Sequence, residues 1–288
     1  MFEETNYFFS ITWNWFSETG DYSARADYQS LLNVGRVTVA KNNRNTPGSF
    51  GFEASADVGE DIQVYSLRAD YTANRYSGEV EYVYLTNTDT DVQTQNISTR
   101  LSTAISVFDT DVSWSRSYFG PAAIVKVHDS LEAPVFINEY YEEEPQSIAT
   151  QTLNNTAPLY GSHIETRVLV TVPDAPVGYN YGNDIRVIIP GTYTGHIIEV
   201  GSSQNRTVIG TLLNAEGEPI VLRNGYVLHN GGRSTIFTNS AGRFALDGVG
   251  YGEFEVNIVG DPSYQGRFRI DEDAKSLIYL NDLTLQKN

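Results

Sequence analysis

The 288-residue chain contains no cysteine, one methionine, few basic side chains and no long apolar run. Without cysteine there is no disulfide framework and no thiolate chemistry. No window approaches the roughly 18 consecutive apolar residues that a membrane-crossing helix requires. Strands that cross a membrane as a barrel never show such a window, so its absence does not bear on them. Lys and Arg number 19 against 36 Asp and Glu, a formal charge of −17. Phosphate backbones are held by clustered cations, and none cluster here, which argues against a nucleic-acid partner.

Catalytic signatures are equally scarce. His128, His163, His196 and His229 are scattered, with no second His or Cys at ligand spacing, so no metal site is expected. There is no Gly-x-Ser-x-Gly and no phosphate-cradling loop. The glycines of Gly248–Gly252 punctuate strands and lead into no helix, unlike those of a nucleotide fold. Glu79 and Glu81 stand two apart on one strand, about 6.6 Å at the usual strand rise. That separation suits a carboxylate pair, but no cleft of aromatics accompanies it. The expectation is no enzyme, no catalytic residue, no cofactor and no metal.

What the chain does have is aromatic mass, 19 Tyr and 13 Phe, far more than a disordered acidic polypeptide. It also has alternation. In Ile62–Tyr71, Tyr65, Leu67, Ala69 and Tyr71 alternate with Ser66, Arg68 and Asp70. Side chains of a strand alternate faces, so this is a strand with one apolar and one charged face. Val80, Tyr82 and Tyr84 against Glu79 and Glu81 repeat the pattern, as do Ile97, Leu101 and Ile105 against Asn96, Ser98, Arg100 and Ser102. Earlier runs over Phe9–Trp15, Ala24–Tyr28, Arg36–Ala40 and Phe50–Val58, and a later one at Val112–Trp114, bring the count to seven or eight strands. Turn residues separate them, including Glu18–Asp21, Asn42–Gly48, Gly59–Asp61 and Asn87–Asp91.

A small soluble barrel turns its apolar face inward and rarely carries inward charges. The opposite arrangement, lipid outside and water inside, fits these strands better. A basic side chain against mid-membrane hydrocarbon costs about 2–4 kcal/mol, and an acidic one less. Arg68, Asp70, Glu79, Glu81 and Arg100 are therefore expected to face the water of a pore, and Arg68 to pair with Glu79 or Glu81 across strands. Trp13, Trp15, Tyr71, Tyr76, Tyr84, Trp114 and Tyr118 are expected as aromatic belts.

Composition changes near Phe119-Gly120-Pro121. Ala122–Val127 reads as a strand buried on both faces, and the acidic stretch Tyr140–Pro145 as a solvated loop. Arg167–Val172 and Ile185–Ile189 are further strands, giving one small β-sandwich over 119–203. After it, Thr207–Leu213, Ser234–Thr238, Arg243–Leu246 and Glu253–Val259, spaced by Gly-containing turns, indicate a second sandwich over 204–288. Its turns resemble those of the prealbumin-like sandwiches appended to secreted bacterial proteins.

Several stretches together resemble the carboxy-terminal part of a fimbrial outer-membrane usher. They are Ser115–Val127, Val172–Pro176, Pro190–His196, Glu199–Ser202, Val208–Pro219 and Phe237–Phe244, in order along the chain. The terminal stretch is most similar to the alternate, CS1-type branch. The resemblance implies an all-β chain: the last strands of a transmembrane barrel over 1–118, then two small antiparallel β-sandwich domains in the periplasm. It implies partners as well, namely periplasmic pilus chaperone–subunit complexes, outer-membrane lipid and the remainder of the usher chain. Ushers also carry a plug, a recruitment domain and many more strands. With acidic residues at Glu3 and Glu4 where a secretory leader is basic, the chain is expected to be the carboxy-terminal piece of a longer protein. Two other readings stay open: a porin- or receptor-like barrel fragment, and a soluble secreted all-β adhesin module.

Overall fold

The computed structural model describes residues 6–17, 20–139 and 144–288, and it is all-β. Glu18 and Thr19 of one expected turn, and Tyr140–Glu143 of the acidic loop, lie outside the described residues. The first eight strands are β1 (Phe8–Ser17), β2 (Gly20–Gln29), β3 (Val34–Lys41), β4 (Phe50–Val58), β5 (Ile62–Thr72), β6 (Tyr76–Asn87), β7 (Val92–Phe108) and β8 (Asp111–Ser115). They form one antiparallel meander in which each strand pairs with the next, and the sheet is not closed into a barrel. Asn33, Asp91 and Asp109 take left-handed backbone angles at its tight turns, a conformation that Asn and Asp tolerate best.

One expected wall strand has a different place. β6 pairs with β7 only up to Thr103, and β8 pairs with Ala104–Phe108 beyond that point. The 17-residue β7 therefore runs past the sheet, and its last five residues form a separate hairpin with β8. The run Val112–Trp114 belongs to this projecting hairpin.

The next seven strands are β9 (Ala122–Val127), β10 (Val135–Ile137), β11 (Ser147–Ala149), β12 (Asn155–Pro158), β13 (Thr166–Thr171), β14 (Ile185–Ile188) and β15 (Gly195–Val200). They make two facing sheets, β12-β9-β15 and β11-β10-β13-β14. Val125, Val127, Leu131, Val135, Ile137, Val168, Val170 and Val200 fill the space between them. β9 is buried along its length apart from Lys126, which reaches out to Asp111 of the hairpin at 2.8 Å.

The last eight are β16 (Arg206–Leu213), β17 (Asn224–His229), β18 (Gly232–Phe237), β19 (Arg243–Val249), β20 (Gly252–Ile258), β21 (Tyr264–Ile270), β22 (Leu277–Thr284) and β23 (Gln286–Lys287). They form sheets β19-β16-β22 and β18-β17-β20-β21-β23 around a core that includes Leu212, Ile236, Phe254, Val256 and Leu285. Gly225 is required inside β17, since a Cβ there would lie 2.2 Å from the carbonyl of Asn257. The Gly248–Gly252 stretch is the end of β19 and the turn into β20.

Among the described residues the meander meets the middle sheets at the end that carries the β5–β6 turn, mainly through polar contacts. In the β5–β6 turn the Arg75 guanidinium donates to the carbonyls of Leu153 (2.9 Å), Asn154 and Trp114. Beside it, Asn74 exchanges two 2.8 Å hydrogen bonds with the backbone of Ile148. Arg116 donates to the carbonyl and side-chain oxygen of Asn45, at 2.9 and 2.6 Å, and to the carbonyl of Gln146. Burial pushes both guanidinium groups down from their ordinary value. Arginine nonetheless stays charged in proteins, so these carbonyl bonds offset the desolvation of two cations. Ser106 and Ser113 of the hairpin reach buried Thr156, while Phe108 lies over Gly195 so closely that a Cβ there would be 2.4 Å from its ring.

Two outcomes are expected. Arg116→Ala strands the carbonyls it serves, and hydrogen exchange should quicken in β11 and the Asn42–Ser49 turn while β20 is unchanged; unaltered exchange there contradicts the latch. Phe254 is buried between the rings of His229, 4.0 Å away, and Phe268, 4.9 Å away. Phe254→Ala should cost about 3–5 kcal/mol, read by calorimetry as early melting of the terminal sheets, and a melting point within error of the parent refutes that packing.

Candidate functional site

Residues paired directly across an antiparallel sheet share a face, so the register of the meander decides what each face presents. One row runs Trp13, Ala24, Val39, Ala54, Leu67, Tyr82, Ile97 across seven strands. The row beside it runs Ile11, Ala26, Val37, Ala56, Tyr65, Tyr84. Leu67 and Val80, on central strands, are about half exposed, and Leu101 is 73% exposed. Apart from its rim at Lys41, nothing among the described residues covers this apolar face. It extends onto the hairpin through Ile105, Val107, Val112 and Trp114, all exposed. Monomeric soluble proteins rarely show an apolar surface this continuous.

The aromatics on this face gather at its two ends. At the latched end Trp15 stacks on Tyr22 (5.5 Å, 4°), and Tyr71 lies against Tyr76 (6.4 Å). At the other end Tyr7 meets Tyr28 (6.1 Å) and Tyr65 meets Tyr84 (6.2 Å). Between the belts the side chains are chiefly Ala, Val, Leu and Ile. Of the residues expected in belts, Trp15, Tyr71 and Tyr76 lie at the latched end and Tyr84 at the other. Trp13 sits one pair inward, and Trp114 on the hairpin donates its indole N–H to Thr103 Oγ1 at 2.7 Å. Tyr118 is in neither belt, because its hydroxyl bonds Ser106 on the opposite side of the hairpin, at 2.8 Å.

The opposite face carries the charge. Arg68, Asp70, Glu79, Glu81 and Arg100 all lie on it, in the rows Glu53–Arg68–Glu81 and Asp70–Glu79–Arg100. Arg68 bridges the two rows, donating to Glu79 at 2.6 Å. Asn43 donates to Asp70, and Ser98 donates to Glu81 at 3.4 Å. Arg68, Asp70, Glu79 and Arg100, with Asn43 and Ser102, line a shallow cleft of about 370 Å³. A further row, Asp27–Arg36–Asp57, continues the ladder, with Arg36 held by both oxygens of Asp57. Exposed ion pairs contribute about 0–1 kcal/mol each. The ladder thus adds little stability; its effect is a hydrated wall with a net acidic charge, since each of the three rows sets one arginine against two carboxylates.

Sequence reasoning assigned only charges between residues 62 and 107 to the pore wall and left Asp27, Arg36, Glu53 and Asp57 as strand positions without that role. The same alternation marks all of them, as each stands between apolar neighbours of its strand. The four histidines are far apart in role: His229 stacks on Phe254, His128 bonds Ser130, and His196 and His163 contact Thr194 and Thr192. Among the described residues no three His, Asp or Glu are grouped to hold a metal ion.

No protein-family profile matches the chain, and no curated protein matches its sequence. Among solved structures, a chain of the E. coli P pilus tip assembly intermediate PapC-PapD-PapK-PapG aligns with 97% of this chain at 12% identity and a TM-score of 0.55. The alignment takes in 33% of that chain, so the protein spans about a third of its length. A streptococcal ancillary pilin (12% identity, 83% of this chain and 81% of that one) has a TM-score of 0.26, and the Bacillus anthracis TIE protein (12%, 99% and 59%) one of 0.23. The meander and both sheet pairs together are therefore similar in fold to about a third of one chain of that pilus assembly.

Proposed function

We propose that the chain is the carboxy-terminal part of a fimbrial outer-membrane usher, a non-enzymatic platform for assembling and secreting pilus subunits. The observation that carries this reading is the meander's division into an apolar face edged by aromatic belts and a face of alternating charges. A wall of a water-filled barrel needs that pattern. A sheet of a soluble sandwich also has one apolar face but covers it with a second sheet, and among the described residues no second sheet lies on this one. The fold likeness to a pilus assembly complex and the ordered usher-like segments support it. In this reading residues 1–118 contribute wall strands in the outer membrane, and Arg68, Asp70, Glu79, Glu81 and Arg100 line the lumen. The ladder keeps its part of that wall wet against a passing folded subunit, while Ile62, Val64, Val83 and Leu85 share the face toward the other end of the sheet. The free edge of β1 pairs with strands from the remainder of the usher chain.

Residues 119–203 and 204–288 then stand in the periplasm as two domains that hold chaperone–subunit complexes. The binding surfaces are sheet edges and apolar patches, not reactive groups. β14 is an edge strand whose Ile185 and Val187 point outward and are more than half exposed. β18 is the matching edge of the terminal sheets, with Phe237 exposed.

The division of labour is tested by deleting residues 204–288 in the piliated cell. Pilus fibres should vanish from electron micrographs while the protein still fractionates with the outer membrane. Normal piliation by the deleted protein refutes the assignment.

A further inference from the structure

Lys41 breaks the pattern of the apolar face. Its register partners Tyr22 and Phe52 place it in the row that also holds Trp15, Ala69 and Val80, at the latched end of the sheet. Only 8% of the residue is exposed. Its stem lies over Gly20, where a Cβ would come within 2.5 Å of Lys41 Cε. Its ammonium sits 3.4 Å from the centre of the Phe50 ring. Among the described residues no carboxylate pairs with it. The nearby Glu144 is engaged by Arg44 at 3.4 Å and by Thr46 Oγ1 at 3.1 Å. A cation–π contact offsets only part of what burying an ammonium costs. Lys41 also lines a cavity of about 430 Å³ between the rim of the meander and the middle sheets, with Phe50, Phe136 and Ile148 among its walls. A buried cation beside an open cavity, on a face otherwise fit for acyl chains, calls for an anion that carries its own apolar tail.

We propose that Lys41 and this cavity bind the phosphate of a glycerophospholipid, whose acyl chains lie along the apolar face beside Val39 and Ala54. The inference rests on the membrane orientation proposed above. It goes beyond that orientation by assigning one lipid site at the aromatic belt next to the periplasmic sheets. One lysine near an anionic lipid surface is worth about 1 kcal/mol, or roughly fivefold in affinity.

The test is native mass spectrometry of the full chain in detergent, titrated with dioleoyl-phosphatidylglycerol, with dioleoylglycerol (the same chains without phosphate) and with inorganic phosphate. The parent should prefer the phospholipid over dioleoylglycerol by about fivefold, Lys41→Arg should keep that preference, and Lys41→Met should lose it. Inorganic phosphate at matching concentration should not displace the lipid. Equal binding of the two lipids by the parent, an unchanged preference in Lys41→Met, or displacement by inorganic phosphate overturns the proposal. Flotation with phosphatidylglycerol vesicles separates the two levels. A chain that floats but shows no headgroup preference loses only the lipid site, whereas one that stays soluble without detergent refutes the membrane reading as well.

Discussion

The strict register of the meander is the constraint from which the rest of the molecule follows. Strand side chains alternate with a period of two, so a slip of one residue in any pairing would exchange the two faces of that strand. From β1 to β7 no slip occurs. Seven separately alternating strands therefore add up to two continuous surfaces, one greasy and one ionic. The turns hold this register with Asn and Asp at left-handed positions. The cross-strand aromatic pairs and ion pairs each add a few tenths of a kcal/mol toward it.

A sheet with an uncovered apolar face is unstable in water and needs another apolar phase or another layer. The two sheet pairs that follow solve the same problem differently, each burying its apolar side against a second sheet. Both kinds of solution occur in one chain because residue order within the strands differs. β9 is apolar at nearly every position and is buried on both sides, whereas β4 to β7 mostly alternate, with Ile62, Val64, Val83 and Leu85 as apolar exceptions on the polar face. The join between the two regimes is polar. Arg75, Asn74 and Arg116 grip backbone carbonyls, so the middle sheets are oriented on the rim and leave most of both faces of β1 to β6 uncovered.

Much of this was legible in the sequence, and the gaps have physical causes. Alternation located β1 to β7 and put Arg68, Asp70, Glu79, Glu81 and Arg100 on one side, because period-two patterning is local information. It also located the run Val112–Trp114 that is β8, although alternation does not say which part of a long partner strand it pairs with. β10, β11 and β12, of three or four residues each, are too short to show a period. The arginine latch left no signature because its acceptors are carbonyls, which every residue has. Lys41 escaped notice because the run it terminates was read only as far as Ala40. Its unusual face appears once the register with Tyr22 and Phe52 is known.

Because the protein has no native cysteine, the central claim can be tested one side chain at a time along a single strand. Ile97→Cys and Leu101→Cys lie on the apolar face of β7, and Asn96→Cys and Ser98→Cys on its polar face; all four positions are open to solvent in the isolated chain. In intact cell envelopes, a charged maleimide should label positions 96 and 98 and spare 97 and 101, which should react only after detergent extraction. Equal labelling of all four in the untreated envelope would contradict the assignment of the apolar face to lipid, and with it the pore.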